Sequence, residues 1–80
     1  MDIEWDEAKR RSNIAKHGLD FIDADLIFLG EHKIAQARTV SCEERWLATG
    51  MIHGLRAAVI FTMRGQTVRI ISLRRSRHGE

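Results

Sequence analysis

Apolar positions fall into three regimes along the chain. Over residues 7–17 they are sparse: Ala8, Ile14 and Ala15, with Trp5 just ahead. That spacing predicts a surface helix with one narrow buried stripe and a highly charged outer side. Asp6 is placed to cap it, its carboxylate free to accept from a first-turn amide. Glu7 at the start and Lys16 and His17 at the end suit the helix dipole, and Gly18 can take the left-handed conformation that ends it. Over residues 21–29 the pattern is denser, with Phe21, Ala24 and Phe28 on one face and Leu26, Ile27 and Leu29 widening it. This predicts a mostly buried second helix, capped by Asp20 with Asp23 at the capping-box position and ended by Gly30. Beyond residue 31 β-formers take over. Residues 32–37 read as a weak strand and 45–51, 56–63 and 67–74 as three more. Ile52-His53-Gly54-Leu55 and Arg64-Gly65-Gln66 have the length and glycine of hairpin connections. Residues 2–4 are an optional short edge strand.

The expected fold is α+β, one domain over residues 1–80: two N-terminal helices packed on a three- to four-stranded antiparallel sheet, with a short or missing helix after Arg74. Strict alternation in the last strand puts Arg69, Ile71, Leu73 and Arg75 on one face and Val68, Ile70, Ser72 and Arg74 on the other. Both faces then carry apolar residues, as in a sheet covered on both sides or covered by a partner on one. Should the strand bend or stop near Arg74, both terminal arginines reach one cleft.

Composition narrows the function. Eighty residues give a thin core, so partner binding is expected to supply part of the working stability. The one cysteine, Cys42, cannot form an internal disulfide and suits a reducing compartment. The first residues lack the basic and apolar regions of a signal peptide. No uncharged run approaches the length of a membrane span. A cytoplasmic protein is expected.

The net charge of +2 hides a polarity: residues 1–31 carry eight acids against four bases, whereas residues 56–80 carry six arginines against Glu80 alone. A basic half without lysine points to phosphate, which the guanidinium fork binds bidentately, and so to an anionic polymer. Arg69, Arg74 and Arg75 at the end of the last strand, Arg64 at the neighbouring turn and Arg56 one strand earlier are the candidate phosphate ligands. His17 reads as a helix-end residue, His32 and His78 as exposed, and His53 as a turn residue that can serve as an acid or base; Glu44 is a candidate base. No histidine pair has metal-ligand spacing, and no phosphate loop or dinucleotide fingerprint is present. No cofactor is expected.

Three stretches carry a family resemblance. The first is Trp5-Asp6-Glu7-Ala8-Lys9, Asn13, Lys16-His17-Gly18-Leu19, Phe21, Ala24 and Phe28. The second is Glu43-Glu44-Arg45-Trp46 followed by Gly50. The third is Val68-Arg69-Ile70-Ile71-Ser72-Leu73-Arg74-Arg75. In this order and spacing they resemble the BrnT family of toxins. The resemblance implies a RelE-like fold, endoribonuclease activity, and a cognate BrnA-type antitoxin through which alone the complex meets operator DNA. With RNA as the substrate, Arg64, Arg69, Arg74 and Arg75 are the catalytic candidates and Arg45, Arg56 and Arg77 the RNA-binding ones. Members commonly continue past the Arg-Arg pair into a C-terminal helix, often with a tyrosine; this chain has no tyrosine. Two rivals stand beside the ribonuclease: a non-catalytic module acting as the corepressor half of an antitoxin complex, and an RNA-binding domain without an antitoxin. The antitoxin is expected to lie across the sheet beside Arg69 and Arg75, burying Ile71 and Leu73.

Overall fold

In the computed structural model, which describes residues 1–80, the chain opens with strand β1 (Asp2–Trp5) and helix α1 (Glu7–His17). A 3-10 turn at Phe21–Asp23 and a short helix α2 (Asp25–Leu29) follow. Four more strands complete it: β2 (Lys33–Gln36), β3 (Trp46–Ile52), β4 (Leu55–Arg64) and β5 (Thr67–Arg75). No helix forms after β5.

The sheet corrects the sequence-based fold. It has five strands in the order β1-β5-β4-β3-β2, and it is mixed: β1 runs parallel to β5, the other pairs antiparallel. The expectation of three or four antiparallel strands fails because Asp2-Ile3-Glu4-Trp5 is a full member of the sheet. Its alternation drops Ile3 and Trp5 into the core and leaves Asp2 and Glu4 on the opposite face. Its partner lies more than sixty residues away, Asp2 opposite Thr67 and Trp5 opposite Ile70.

Local signals fared better in the helices. The Asp6 carboxylate accepts from the Lys9 amide at 3.0 Å, and Gly18 sits at φ 72° with its N–H donating to the Ile14 carbonyl. The expected second helix is broken instead: Asp20 caps the 3-10 turn by accepting from the Ile22 amide at 3.1 Å, and Ala24 joins it to the five-residue α2. Arg10 binds Asp20 through two hydrogen bonds of 2.8 and 3.0 Å, tying α1 to that turn. These bonds hold the Asp20 carboxyl below its usual range.

A bulge decides the faces of β5. Ile60 pairs with Ser72 but Phe61 pairs with Ile70, so Ile71 is an extra residue. Alternation resets there. Val68, Ile70 and Leu73 all turn to the helix side, where they join Ala57, Val59, Phe61, Ala48, Ile52, Phe21, Ala24 and Ile27 in one core. The expectation that β5 is apolar on both faces is thereby corrected: Leu73 is fully buried and Ile71 half-buried.

Two further contacts fix this arrangement. The buried Asn13 side chain of α1 accepts from the Leu73 N–H at 3.1 Å and donates to the Leu73 carbonyl at 2.7 Å and the Leu19 carbonyl at 2.9 Å. It thus continues the hydrogen bonding of β5 where β1 stops. At Gly50 a side chain would meet the Glu31 carbonyl and Ile27 at 3.1 Å, so the α2–β2 connection lies tight against β3 only because that position is glycine.

Candidate functional site

The helices leave the second face of the sheet open, and register alone says what stands on it. One rung runs Lys33–Thr49–Ala58–Arg74 across four strands; the next carries Met51 and Arg56, and the preceding one Leu47, Ile60 and Ser72. Beyond the bulge come Thr62 with Arg69, and Arg64 with Thr67. The floor of the central rung is small: Thr49 and Ala58 are 6% and 0% exposed although no helix covers them. By register Lys33, Arg56 and Arg74 stand around this floor, the central depression of the open face.

The arginines are in different states. Arg74 is sunk into the surface and binds Glu80 through two 2.8 Å hydrogen bonds, with a third to the Arg75 carbonyl. The pair holds the Glu80 carboxyl down at about 2 and pushes the Arg74 guanidinium up. Arg69 reaches Glu4 at 3.2 Å. Glu43 faces Arg45 at 3.4 Å and Arg64 at 3.9 Å. Arg56 and Lys33 have no carboxylate within ion-pair distance, and both are exposed. They line a groove of about 410 Å³ together with Glu31, His32, Thr49 and Met51. His32 packs edge-on against Phe28, and its Nδ1 lies 2.8 Å from the Gly30 carbonyl. A carbonyl only accepts, so Nδ1 donates and the neutral ring keeps Nε2 as an acceptor.

The structure therefore does not gather the four catalytic candidates into one pocket. Arg64 and Arg69 stand at the Gly65 end of the face. Arg74 stands near the other end, about 15 Å along the strand at roughly 3.3 Å per residue. Arg75 sits opposite Ala57, on the helix-side parity, because β5 continues through it rather than bending; the shared cleft for Arg74 and Arg75 is not formed. The bulge instead puts Arg69 and Arg74 on one face, against the strict-alternation reading. Of the binding candidates, Arg45 lies half-buried before β3 and Arg56 on the central depression, while Arg77 is in the tail, its amide donating to Glu80. His17 ends α1, His78 is exposed in the tail and His53 stands at the β3–β4 turn, 3.8 Å from Asp23. Glu44 lends its backbone carbonyl to Thr62 at 2.8 Å.

Sequence reasoning missed the partners: Glu4 for Arg69, Glu80 for Arg74 and Asn13 for Leu73 are all set by the fold. It also passed over His32, whose bond to the carbonyl two residues back was open to a local reading. Beside Arg56, the Ser76 amide donates to the Arg56 carbonyl at 3.1 Å while the Ser76 hydroxyl is buried without a partner. No three side chains among His, Cys, Asp and Glu converge as a metal-binding group, and no helix is long and apolar enough to cross a membrane.

Compared with known proteins, residues 5–80 match a family model described as the ribonuclease toxin BrnT of a type II toxin–antitoxin system. No curated protein matches the chain.

Proposed function

Because this chain belongs to the BrnT family of ribonuclease toxins of type II toxin–antitoxin systems, we propose that it cuts RNA on the open face of its sheet by metal-independent attack of the 2′-hydroxyl on the adjacent phosphorus. The observation that carries this is the groove of about 410 Å³ in which Arg56 and Lys33, held by no carboxylate, stand beside His32. Arg56 and Lys33 would take the phosphate. Arg74, bound twice by Glu80, stands on the same face as one half of a charge-compensated pair, so charge developing on the phosphorane would rest on Arg56 and Lys33. Arg64 and Arg69, at the other end, would hold the strand rather than the scissile phosphate. An arginine stays protonated and is a poor base. His32, which lines the same groove as Arg56 from the helix side, against Gly50 at the edge of β3, is the base of this reading: Nε2 takes the 2′-hydroxyl proton, and the imidazolium formed can return one to the leaving 5′-oxygen.

An antitoxin of the BrnA type silences such a site by covering it, and the pair acts on operator DNA as corepressor through the antitoxin. The open face offers apolar Leu47, Met51 and Ile60 among its arginines. An acidic, apolar segment laid there buries these residues rather than Ile71 and Leu73.

The test is cleavage of RNA by the purified chain in excess chelator. Products ending in 2′,3′-cyclic phosphate are expected. Activity lost in chelator and restored by magnesium would overturn the mechanism. The engagement of most open-face arginines by internal carboxylates favours a second reading, a module that binds RNA or antitoxin without cutting. Tight binding with no products under any condition would assign it.

A further inference from the structure

We propose that the groove between α1 and β5 is a second anchoring site, taking backbone phosphates of the RNA strand as it leaves the open face. The inference rests on RNA being the substrate. Lys9, Ser12 and Lys16 recur at three- and four-residue steps and so share one face of α1. With His17 they line a groove of about 170 Å³ whose far wall is Ile71 and Ser72.

The groove exists because of the bulge. β1 covers the edge of β5 only from Thr67 to Ile70, and Asn13 covers Leu73. On that edge the stretch between, Ile71 and Ser72, has no strand beside it. Asn13 has both its amide nitrogen and its oxygen engaged, so it is floor and not ligand.

Charge is sorted across the helix. Glu7 pairs with Arg10 and Arg11, and Asp20 with Arg10, and none of these residues lines the groove. Neither Lys9 nor Lys16 has a carboxylate within ion-pair distance. The acidic total of the first 31 residues thus conceals a cationic flank. The two ammonium stems start about 10 Å apart along the axis, two helical turns, which suits a run of phosphates better than a single small anion. Ser72 makes the groove continuous with the open face: it stands on the same side as Arg69 and Arg74 and also lines the groove. A strand lying across the arginines meets the lysines when it crosses the edge of β5.

The experiment is the salt dependence of binding to a fluorescent single-stranded 2′-O-methyl RNA, which lacks the attacking hydroxyl and stays intact. Lys9→Gln with Lys16→Gln should weaken binding and flatten the slope of log K against log salt by about 1.4, at ~0.7 for each phosphate no longer neutralised. Arg11→Gln, on the outer side of α1, should leave the slope unchanged. Arg56→Gln with Arg64→Gln should flatten it independently. If the lysine pair has no effect while the arginine pair does, the groove inference falls and the open-face reading stands. If the lysine pair alone matters, the groove holds and the open-face site falls. Lysine variants that lose antitoxin affinity while keeping RNA affinity would assign the groove to the antitoxin and overturn the proposal.

Discussion

The two ends of the open face carry the same residue type and differ in what that residue would have to give up. At the Gly65 end, Arg45, Arg64 and Arg69 each have a carboxylate within 3.2–3.9 Å. At the His53 end, Arg56 and Lys33 are unopposed, while Arg74 is wholly committed to Glu80. An anion arriving at the first end displaces an acid; at the second it finds two donors that no carboxylate holds, in a groove also lined by His32 and Glu31. Counting arginines is therefore not counting phosphate ligands. The proposed function accordingly gives the chemistry to the His53 end and the holding to the Gly65 end.

The largest test of that division is His32→Asn. Removing a general base slows cleavage by about 10²–10⁴-fold, while RNA affinity stays near that of the parent. An unchanged rate would move the chemistry away from this end. Next comes Arg56→Ala against Arg64→Ala. Loss of a charged hydrogen bond to phosphate costs about 1.5–3 kcal/mol, so Arg56→Ala should lower the cleavage rate by ~10-fold or more. Arg64→Ala should act mainly on affinity. The reverse pattern would exchange the roles of the ends.

Arg74 is expected to register in stability first. Arg74→Ala should cost about 1.5–3 kcal/mol in urea unfolding, since charged hydrogen bonds are lost from a poorly solvated site. Glu80→Gln should reproduce part of this and Arg74→Lys should not repair it, because lysine lacks the fork. The sign with pH follows from Glu80. Its carboxyl is held down at about 2 against an ordinary 4.5, first by Arg74 and also by the Arg77 amide. Its contribution is complete above pH 4.5 and fades as pH falls toward 2. Melting curves of the parent and Glu80→Gln should differ at neutral pH and converge across that window. A constant difference would mean that the pair does not set the stability of the tail.

What the sequence disclosed depended on range. The first helix was legible to its ends because capping is local: Asp6, Glu7, His17 and Gly18 act within one turn of themselves. The strands after residue 31 were legible as elements. β1 was not placed, because four alternating residues say nothing of a partner more than sixty positions on. The bulge left a trace that strict alternation overrode. Val-Arg-Ile-Ile-Ser-Leu-Arg alternates without fault once one of the two adjacent isoleucines is taken as extra, and the arginines then fall on one face. The proposed phosphate chemistry was read from arginine content. Which arginines are free was not, since Glu4, Glu43 and Glu80 become partners only through folding. Asn13 stood in a family-like motif, yet its role against Leu73 needed the sheet edge to be seen.

The smallest effect should come from freeing an arginine at the holding end. Arg69 and Glu4 face each other across the β1–β5 pair at 3.2 Å, with side chains 25% and 40% exposed. A pair so wetted is worth about 0.2–1 kcal/mol. Glu4→Gln keeps the shape and removes the charge, so the stability lost should be no more than that. The same free energy returns when RNA binds, because phosphate no longer competes with the carboxylate for the guanidinium. Affinity for intact single-stranded RNA should therefore rise by up to about fivefold, about 1.4 kcal/mol being tenfold. The cleavage rate of bound RNA should stay unchanged, since Arg69 stands about 15 Å from Arg74 and the central depression. A rate that rises with affinity held constant would put Arg69 at the reacting phosphate and exchange the two ends of the face.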